Sequence, residues 1–219
     1  MSFRAILWDF GGVFTTSPFD AFNRYESERG IPIDFIRGVN AVNPLDNAWA
    51  KFESSRISVD EFDQAFLAET TAAGHPVPGR DVIPLLSGDV RPNMVTVLKR
   101  CKQDYQVSCL TNNADAGSGP GMAATEKRAN EVREVMRDFD LVIESSKEGI
   151  RKPDPAIYEL ACERMNVAPH EIVYLDDLGI NLKPAKALGM TTIKVLGEEQ
   201  AIADLGATLN IDFTAILSI

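Results

Sequence analysis

The stretch "AILWDFGGVF", residues 5–14, decides how the rest of the chain is read. Ala5 to Trp8 are apolar without alternation, as in a strand buried on both faces. The run then delivers a carboxylate, Asp9, and after Phe10 two glycines, Gly11 and Gly12. A buried carboxylate without a partner is costly, so Asp9 needs a counter-charge or a chemical task. Residues without a Cβ let another group approach the backbone and permit positive φ. Acid beside bare backbone suits a metal ion together with an anion, although Asp followed by Gly-Gly is also ordinary strand-to-loop punctuation. The stretch alone leaves both readings open.

Four later runs share its character: "YQVSCL" (105–110), "LVIES" (141–145), "EIVYL" (171–175) and "TTIKVL" (191–196). Helical patterns separate them. "RPNMVTVLKRC" (91–101) spaces Met94, Leu98 and Cys101 at i, i+4 and i+7, with Pro92 suited to a first turn. "MAATEKRANEVREVMRDF" (122–139) is a long, charged amphipathic stretch with one solvated face. "DPAIYELACERM" (154–165) opens with Asp154 as N-cap and Pro155 at the first helical position. Strand and helix in alternation predict an α/β fold with a doubly wound parallel sheet, built from residues 1–17 and 89–219.

Residues 18–88 break the rhythm. Leu45, Trp49 and Phe52 share a helical spacing, as do Val59, Phe62 and Phe66, and Ser58 with Glu61 forms a capping box ahead of the second group. With no alternating run, this segment predicts an all-helical insert after strand 1. The turn-rich "HPVPGRD" (75–81) reads as a loop within the insert or near its exit. The Gly-rich "NADAGSGPG" (113–121) reads as a mobile loop.

At 219 residues the chain buries a sizeable core without staples. Its net charge of −10 argues against nucleic acid or an anionic membrane as the main partner, while one local cationic pocket suffices for a phosphorylated substrate. Cys101, Cys109 and Cys162 are odd in number and set among apolar residues, as expected of buried free thiols in a reducing compartment. With no membrane-length apolar run and no signal-type N-terminus, the expectation is a soluble, cytoplasmic protein, a monomer or homodimer. His75 and His170 read as surface residues.

In open α/β sheets, ligands bind beyond the carboxyl ends of the strands. Here those ends carry Asp9, then Thr111-Asn112-Asn113, then Asp176-Asp177, with Lys152 just ahead of the helix opened by Asp154. Three acids cannot share one edge in ionised form without a cation. Hard oxygen donors and few histidines favour Mg²⁺. Lys152, the Thr111 hydroxyl and the amides around Gly11, Gly12 and Asn112 could hold phosphate oxygens, which leaves one carboxylate free to attack phosphorus.

These motifs, "DFGGV", "LTNN", "RKPDP" and "YLDDLGIN" in that order, resemble the haloacid dehalogenase (HAD) superfamily across the whole chain. Residues 139–193 look especially like the N-terminal phosphatase domain of soluble epoxide hydrolase, and are similar to bacterial sugar-phosphate phosphatases of the same branch. The resemblance implies a Rossmann-type core with residues 18–88 as a cap domain. It implies Asp9 as nucleophile, forming an aspartyl-phosphate, and as a Mg²⁺ ligand together with the Gly11 carbonyl and Asp177. Asp176 and Asn181 would hold metal waters or orient Lys152. Thr111, Asn112 and Lys152 would bind the phosphate of a small phosphorylated substrate. Asn113 and Phe14 lie one step beyond motif residues, where they could touch that substrate.

One position departs from the family. Its phosphatases usually carry a second Asp, the general acid and base, where this chain has Gly11. Such help is typically worth about 10²–10⁴-fold, and three answers to its loss stand open: a substrate with a good leaving group, a proton supplied by a cap residue or water, or a weak enzyme whose task is binding. Similar sugar-1-phosphatases that also carry Gly here favour the first. Three alternatives accompany the phosphatase reading: a weak or inactive binding protein on the same fold, a dehalogenase, and a phosphonate-cleaving enzyme. The second fits the acidic pair badly. The third would want a cap lysine, and Lys51 is the only one in the insert.

Overall fold

The computed structural model describes residues 2–116, 119 and 121–217. Five strands, β1 (Ala5–Trp8), β2 (Gln106–Thr111), β3 (Leu141–Glu144), β4 (Ile172–Asp176) and β5 (Thr191–Lys194), form one sheet in the order β3-β2-β1-β4-β5, with every pair parallel. The chain builds outward from β1 to β3, then returns to the other side of β1. The strand order therefore reverses beside β1, and Asp9 and Asp176 stand at that reversal. In such sheets this is where a crevice opens.

The period-2 geometry of a strand divides the apolar residues between two faces. Ile6 and Trp8 join Val107, Cys109, Val173 and Leu175 in one core. It packs under α6 (Pro92–Cys101), α7 (Glu126–Met136) and α11 (Glu198–Leu209). Ala5 and Leu7 join Leu110, Ile143, Ile172 and Tyr174 on the opposite face, under α9 (Pro155–Met165) and α10 (Gly179–Leu188). This two-sided burial explains why β1 reads as a continuous apolar run. Phe14 belongs to the first core, in ring contact with Trp8, Phe10 and Phe139, and not to the crevice. The helix expected over 122–139 is shorter: Thr125 caps it by accepting from the Arg128 N–H, and the turn ahead of it stays non-helical. Asp154 caps α9 as expected, accepting from the Ala156 N–H at 3.0 Å.

Between β1 and α6 the chain is helical: α1 (Pro18–Arg29), α2 (Phe35–Ala41), α3 (Ala48–Glu53), α4 (Val59–Ala72), α5 (Gly79–Val82) and a 3₁₀ turn (Ile83–Leu86). The Ser58–Glu61 capping box opens α4 in both directions. These helices share their own aromatic core, in which Phe52 stacks on Phe62 at 4.4 Å and Trp49 meets Phe62 at 4.7 Å. Buried Glu26 bonds the Asp34 and Ile36 N–H groups, both at 2.8 Å, supplying the cap that the Asp34 side chain does not give α2. Ala114 and Met122, from the loop after β2, also enter this core. The two chain crossings lie side by side, joined by a Thr15–Val90 bridge and by Thr16 N–H to Asp89 and Arg91 N–H to Phe14 bonds of 2.8 Å. Part of the Gly-rich 113–121 stretch lies outside the described residues. Cys101 and Cys109 are buried thiols, Cys162 is half-buried, and none forms a disulfide. No helix among the described residues is long and apolar enough to cross a membrane.

Candidate active site

Asp9 sits at the carboxyl end of the central strand, its backbone N–H still in the ladder with Leu175 at 2.8 Å. Its Oδ1 accepts from the Phe10 N–H at 2.7 Å and pairs with Lys152 Nζ at 2.8 Å. Oδ2 accepts no hydrogen bond from any described residue and remains available for other chemistry. Lys152 is fully buried, and its ammonium bridges Asp9 and Asp176, each at 2.8 Å. Burial opposes that charge, but the Asp176 and Asp9 carboxylates together outweigh it and hold the Lys152 pKa above the ordinary lysine value.

The Asp176 carboxylate is fully occupied by the protein. It accepts from Lys152, from the Tyr174 hydroxyl, from the Leu178 N–H at 2.7 Å and from the Asn181 amide at 3.1 Å. The Asn181 backbone carbonyl accepts from the Tyr158 hydroxyl at 2.7 Å. Asp176 meets the lysine directly, and Asn181 meets it only through Asp176. Asp177 is different: among the described residues no side chain hydrogen-bonds its carboxylate, which lies against Gly12.

Candidate ligand oxygens of Asp9, Asp176 and Asp177 all lie within 4.8 Å of one another. Against three carboxylates the site offers one buried ammonium. Burial pushes Asp9 well above the usual carboxylate range, with Asp176 and Asp177 raising it further against Lys152. Burial and then Asp176 push Asp177 up to about 7. The cluster is short of positive charge, and its free oxygens are hard donors. That donor set fits a hard divalent cation held by Asp9 and Asp177.

The two glycines now separate. A Cβ on Gly12, at φ +72°, would stand 2.3 Å from Asp177 Oδ2, so glycine is needed for that carboxylate to take its place. The Gly12 N–H, expected to face a phosphate, is bonded to Thr15 Oγ1 at 3.2 Å instead. A Cβ on Gly11 would meet nothing within 4 Å. The absence of a second carboxylate there is therefore not imposed by space.

Asp9, Gly11, Thr111, Asn112, Lys152, Asp177 and Asn181 all line one cleft of about 140 Å³. Thr111 ends β2 with its hydroxyl only 3.4 Å from the Asn112 carbonyl, a contact too long to hold it firmly. The Asn112 side chain brackets the Lys152 peptide, accepting from its N–H at 2.9 Å and donating to its carbonyl at 3.0 Å. Asn113 departs from the expected role. It is buried behind the cleft, donating to Glu144 at 2.8 Å and accepting from the Ser146 hydroxyl at 2.9 Å, so its amide is spent on the end of β3. His75 packs on Phe35 and lines no cleft described here, and Lys51 pairs with Asp46 at 3.5 Å.

Sequence reading did not single out Glu53, Arg151 or Thr15 as lining the cleft. Glu53, at the end of α3, accepts from Arg151 Nε and Nη2, both at 2.7 Å, and from Asn112 at 3.3 Å. Ser145 Oγ donates to the Glu53 carbonyl at 2.7 Å. Nothing in the sequence pairs residue 53 with residue 151. Tyr174 was more legible: two residues before Asp176 on one strand, it must share that residue's face.

A crevice at the strand-order reversal, holding a buried Asp–Lys pair and an acidic cluster, defines a class of α/β enzyme. The chain belongs to the haloacid dehalogenase-like hydrolases, a family that matches residues 3–189. Among curated proteins, mouse acyl-CoA dehydrogenase family member 10 is 32% identical over 95% of this chain, and mouse bifunctional epoxide hydrolase 2 is 28% identical over 94%. The chain spans only 19% and 38% of those two proteins. A sesquiterpene phosphatase of Aspergillus oryzae is 26% identical, with 86% of this chain and 88% of that protein covered. A HAD-family enzyme of Bacteroides thetaiotaomicron, solved with magnesium and inorganic phosphate, superposes with a TM-score of 0.58 at 19% identity, covering 88% of this chain and 94% of that one. That likeness is one of fold.

Proposed function

We propose that this chain is a Mg²⁺-dependent phosphatase for a small phosphorylated metabolite, working through a phosphoryl group carried on Asp9. The observation that carries the reading is the free Oδ2 of Asp9, on a carboxylate oriented by Lys152 and the Phe10 N–H beside an electron-rich cluster. Residues 1–17 and 89–219 form the catalytic core in this reading, and residues 18–88 the cap. Mg²⁺ would be held by Asp9, Asp177 and the Gly11 carbonyl, and when bound would neutralise charge on the cluster and on the phosphoryl oxygens.

Each residue's part follows from its surroundings. Asp9 Oδ2 attacks phosphorus, the P–O bond to the leaving group breaks, and that oxygen leaves with the bonding pair. Water then attacks the phosphorus of the aspartyl-phosphate, releasing inorganic phosphate and returning Asp9 as a carboxylate. Lys152 and the Thr111 hydroxyl stabilise the equatorial oxygens as charge develops, the main catalytic contribution in phosphoryl transfer. The Asn112 side chain is committed to the Lys152 peptide, so it positions the lysine and offers phosphate only its backbone. With Gly11 in place of an acid, no carboxyl at that position protonates the departing oxygen, which favours leaving groups that are stable as anions. Asp177 argues against a dehalogenase, because its carboxylate would repel a haloacid's own.

Phosphate release from phosphomonoesters, sugar 1-phosphates and acyl phosphates tests this, with Mg²⁺ or EDTA and beside Asp9→Asn. We expect metal-dependent turnover, at least ~10⁴-fold lower in Asp9→Asn and concentrated on good leaving groups. No turnover of any of them, with Mg²⁺ still bound, would instead make the chain a binding protein.

A further inference from the structure

The phosphatase reading leaves one group of the cleft without a task. Among the described residues, the carboxylates that line the cleft are Asp9, Asp177 and Glu53, and no histidine lines it. Asp9 attacks and Asp177 holds the cation. The water that later releases phosphate from Asp9 must still lose a proton, and Gly11 brings no base to take it.

Glu53 enters the cleft from the helical segment, as the last residue of α3. Its backbone carbonyl accepts from Ser145 Oγ at 2.7 Å, which pins that helix end to the edge of the sheet. Its carboxylate is held by one oxygen only. Arg151 Nε and Nη2 both meet Oε2, each at 2.7 Å, and the Asn112 amide meets the same oxygen at 3.3 Å. A guanidinium that faces a carboxylate squarely takes both oxygens. Here Oε1 accepts no hydrogen bond from any described residue, and it is not among the partnerless atoms sealed from solvent. It is an open acceptor within reach of water. Arg151 also answers a charge that would otherwise repel a phosphoryl group.

Asn112 ties this carboxylate to the reacting centre. The amide that meets Glu53 also donates to the Lys152 carbonyl at 3.0 Å, and its oxygen accepts from the Lys152 N–H at 2.9 Å. The Lys152 ammonium in turn stands 2.8 Å from Asp9. One side chain thus fixes Glu53 relative to the lysine that orients the nucleophile, the kind of second contact that keeps a catalytic group in one geometry.

We propose that Glu53 is the general base of the second half-reaction, the hydrolysis of the phosphoryl group carried on Asp9. The inference rests on the phosphatase reading and adds a catalytic residue to it. Glu53 Oε1 takes one proton from the attacking water as the water oxygen bonds to phosphorus. The bond from phosphorus to Asp9 Oδ2 breaks, and its electron pair returns to Asp9. Inorganic phosphate leaves, and Glu53 passes the proton to solvent. An ionised carboxylate paired with a guanidinium accepts a proton and has none to give, so Glu53 does not assist the first leaving group. Good leaving groups therefore stay favoured while the hydrolytic step keeps its base.

Glu53→Gln tests this, because the amide oxygen can keep the bonds of Oε2 while the NH₂ group replaces Oε1. Stopped-flow release of 4-nitrophenolate from 4-nitrophenyl phosphate, with Mg²⁺, separates the two half-reactions. We expect a first phase of one equivalent per active site with a rate constant within about threefold of wild type, then steady-state turnover about 10²-fold lower. The slow step is then common to all substrates, so acetyl phosphate and 4-nitrophenyl phosphate should share one kcat in this variant. Glu53→Asp keeps a carboxylate and decides the matter if the amide variant fails to fold. It should show the same split with about a tenfold loss in the second phase. A residue of merely structural importance lowers both phases together. That result, or steady-state turnover at the wild-type rate, would overturn the inference and leave the phosphatase standing. No phosphate from either substrate with the unaltered protein would remove the phosphatase reading and the inference with it.

Discussion

The cleft beside Asp9 and the neighbouring cavity lined by Phe22, Trp49 and Ile180 share wall residues and differ in polarity. In the cleft the network is saturated around Asp176, which accepts from four groups, and around Lys152, which bridges two carboxylates with no exposed surface, while Asp9 Oδ2 and the Asp177 carboxylate stay open. In the cavity the walls are largely apolar, and Arg151 is spent on Glu53. Chemistry needs groups held in one geometry, which a saturated network supplies. The difference teaches that the fixed polar network is confined to the sheet edge, so a variant of the apolar cavity wall should leave the Asp9–Lys152–Asp176 geometry intact.

The largest effect that would sharpen the comparison lies at Lys152. Lys152→Met leaves Asp9 and Asp176 buried without their counter-charge, and should cost about 3–5 kcal/mol of stability. Urea unfolding measures that, and phosphate release should fall by roughly 10³-fold in the protein that remains folded. Gly11→Asp comes next. The space beside Gly11 is open, so the new carboxyl should fit and raise kcat on phosphate esters of poor leaving groups by about 10²-fold. Good leaving groups should gain little, and an equal gain for both would break the leaving-group account.

A smaller effect is expected from Gly12→Ala, whose Cβ would stand 2.3 Å from Asp177 Oδ2. Mg²⁺ affinity, read by calorimetry, should weaken about tenfold. The smallest is a pH dependence. The folded pKa of Asp177 lies at about 7, above its unfolded value near 3.8, so the folded metal-free state binds the extra proton between those limits. Metal-free stability should accordingly fall as pH rises from about 4 to 7, and be fully lost as a contribution above that. A cation favours the ionised form, so the rise in Tm given by Mg²⁺ should grow over the same interval and level off beyond pH 7. A Tm gain independent of pH would mean that Asp177 does not hold the ion.

Much of the sheet was legible because burial on both faces leaves runs that little else in a soluble protein produces, and Asp9 was legible because it ends one of them. Asp176 and Asp177 looked alike as a pair. Only the fold separated them, since adjacent residues at a strand end point to different sides and only one meets Lys152. Asn112 and Asn113 divided in the same way, one bracketing the lysine and the other bonding Glu144 behind the cleft. The helix expected over 122–139 lost its first turn because local amphipathicity did not register Thr125 as its cap.

The sequence by itself determined that this chain is a parallel α/β protein with a helical segment after its first strand. It also determined which carboxylates, lysine and hydroxyl stand at the carboxyl edge, because strand periodicity and motif order are local properties. The tertiary structure decided what each of those residues meets there, why Gly12 must be glycine while Gly11 need not be, and that Glu53 meets Arg151. It also decided the shape of the cavity. Those are distances between residues far apart in the chain, and no pattern of neighbours records them.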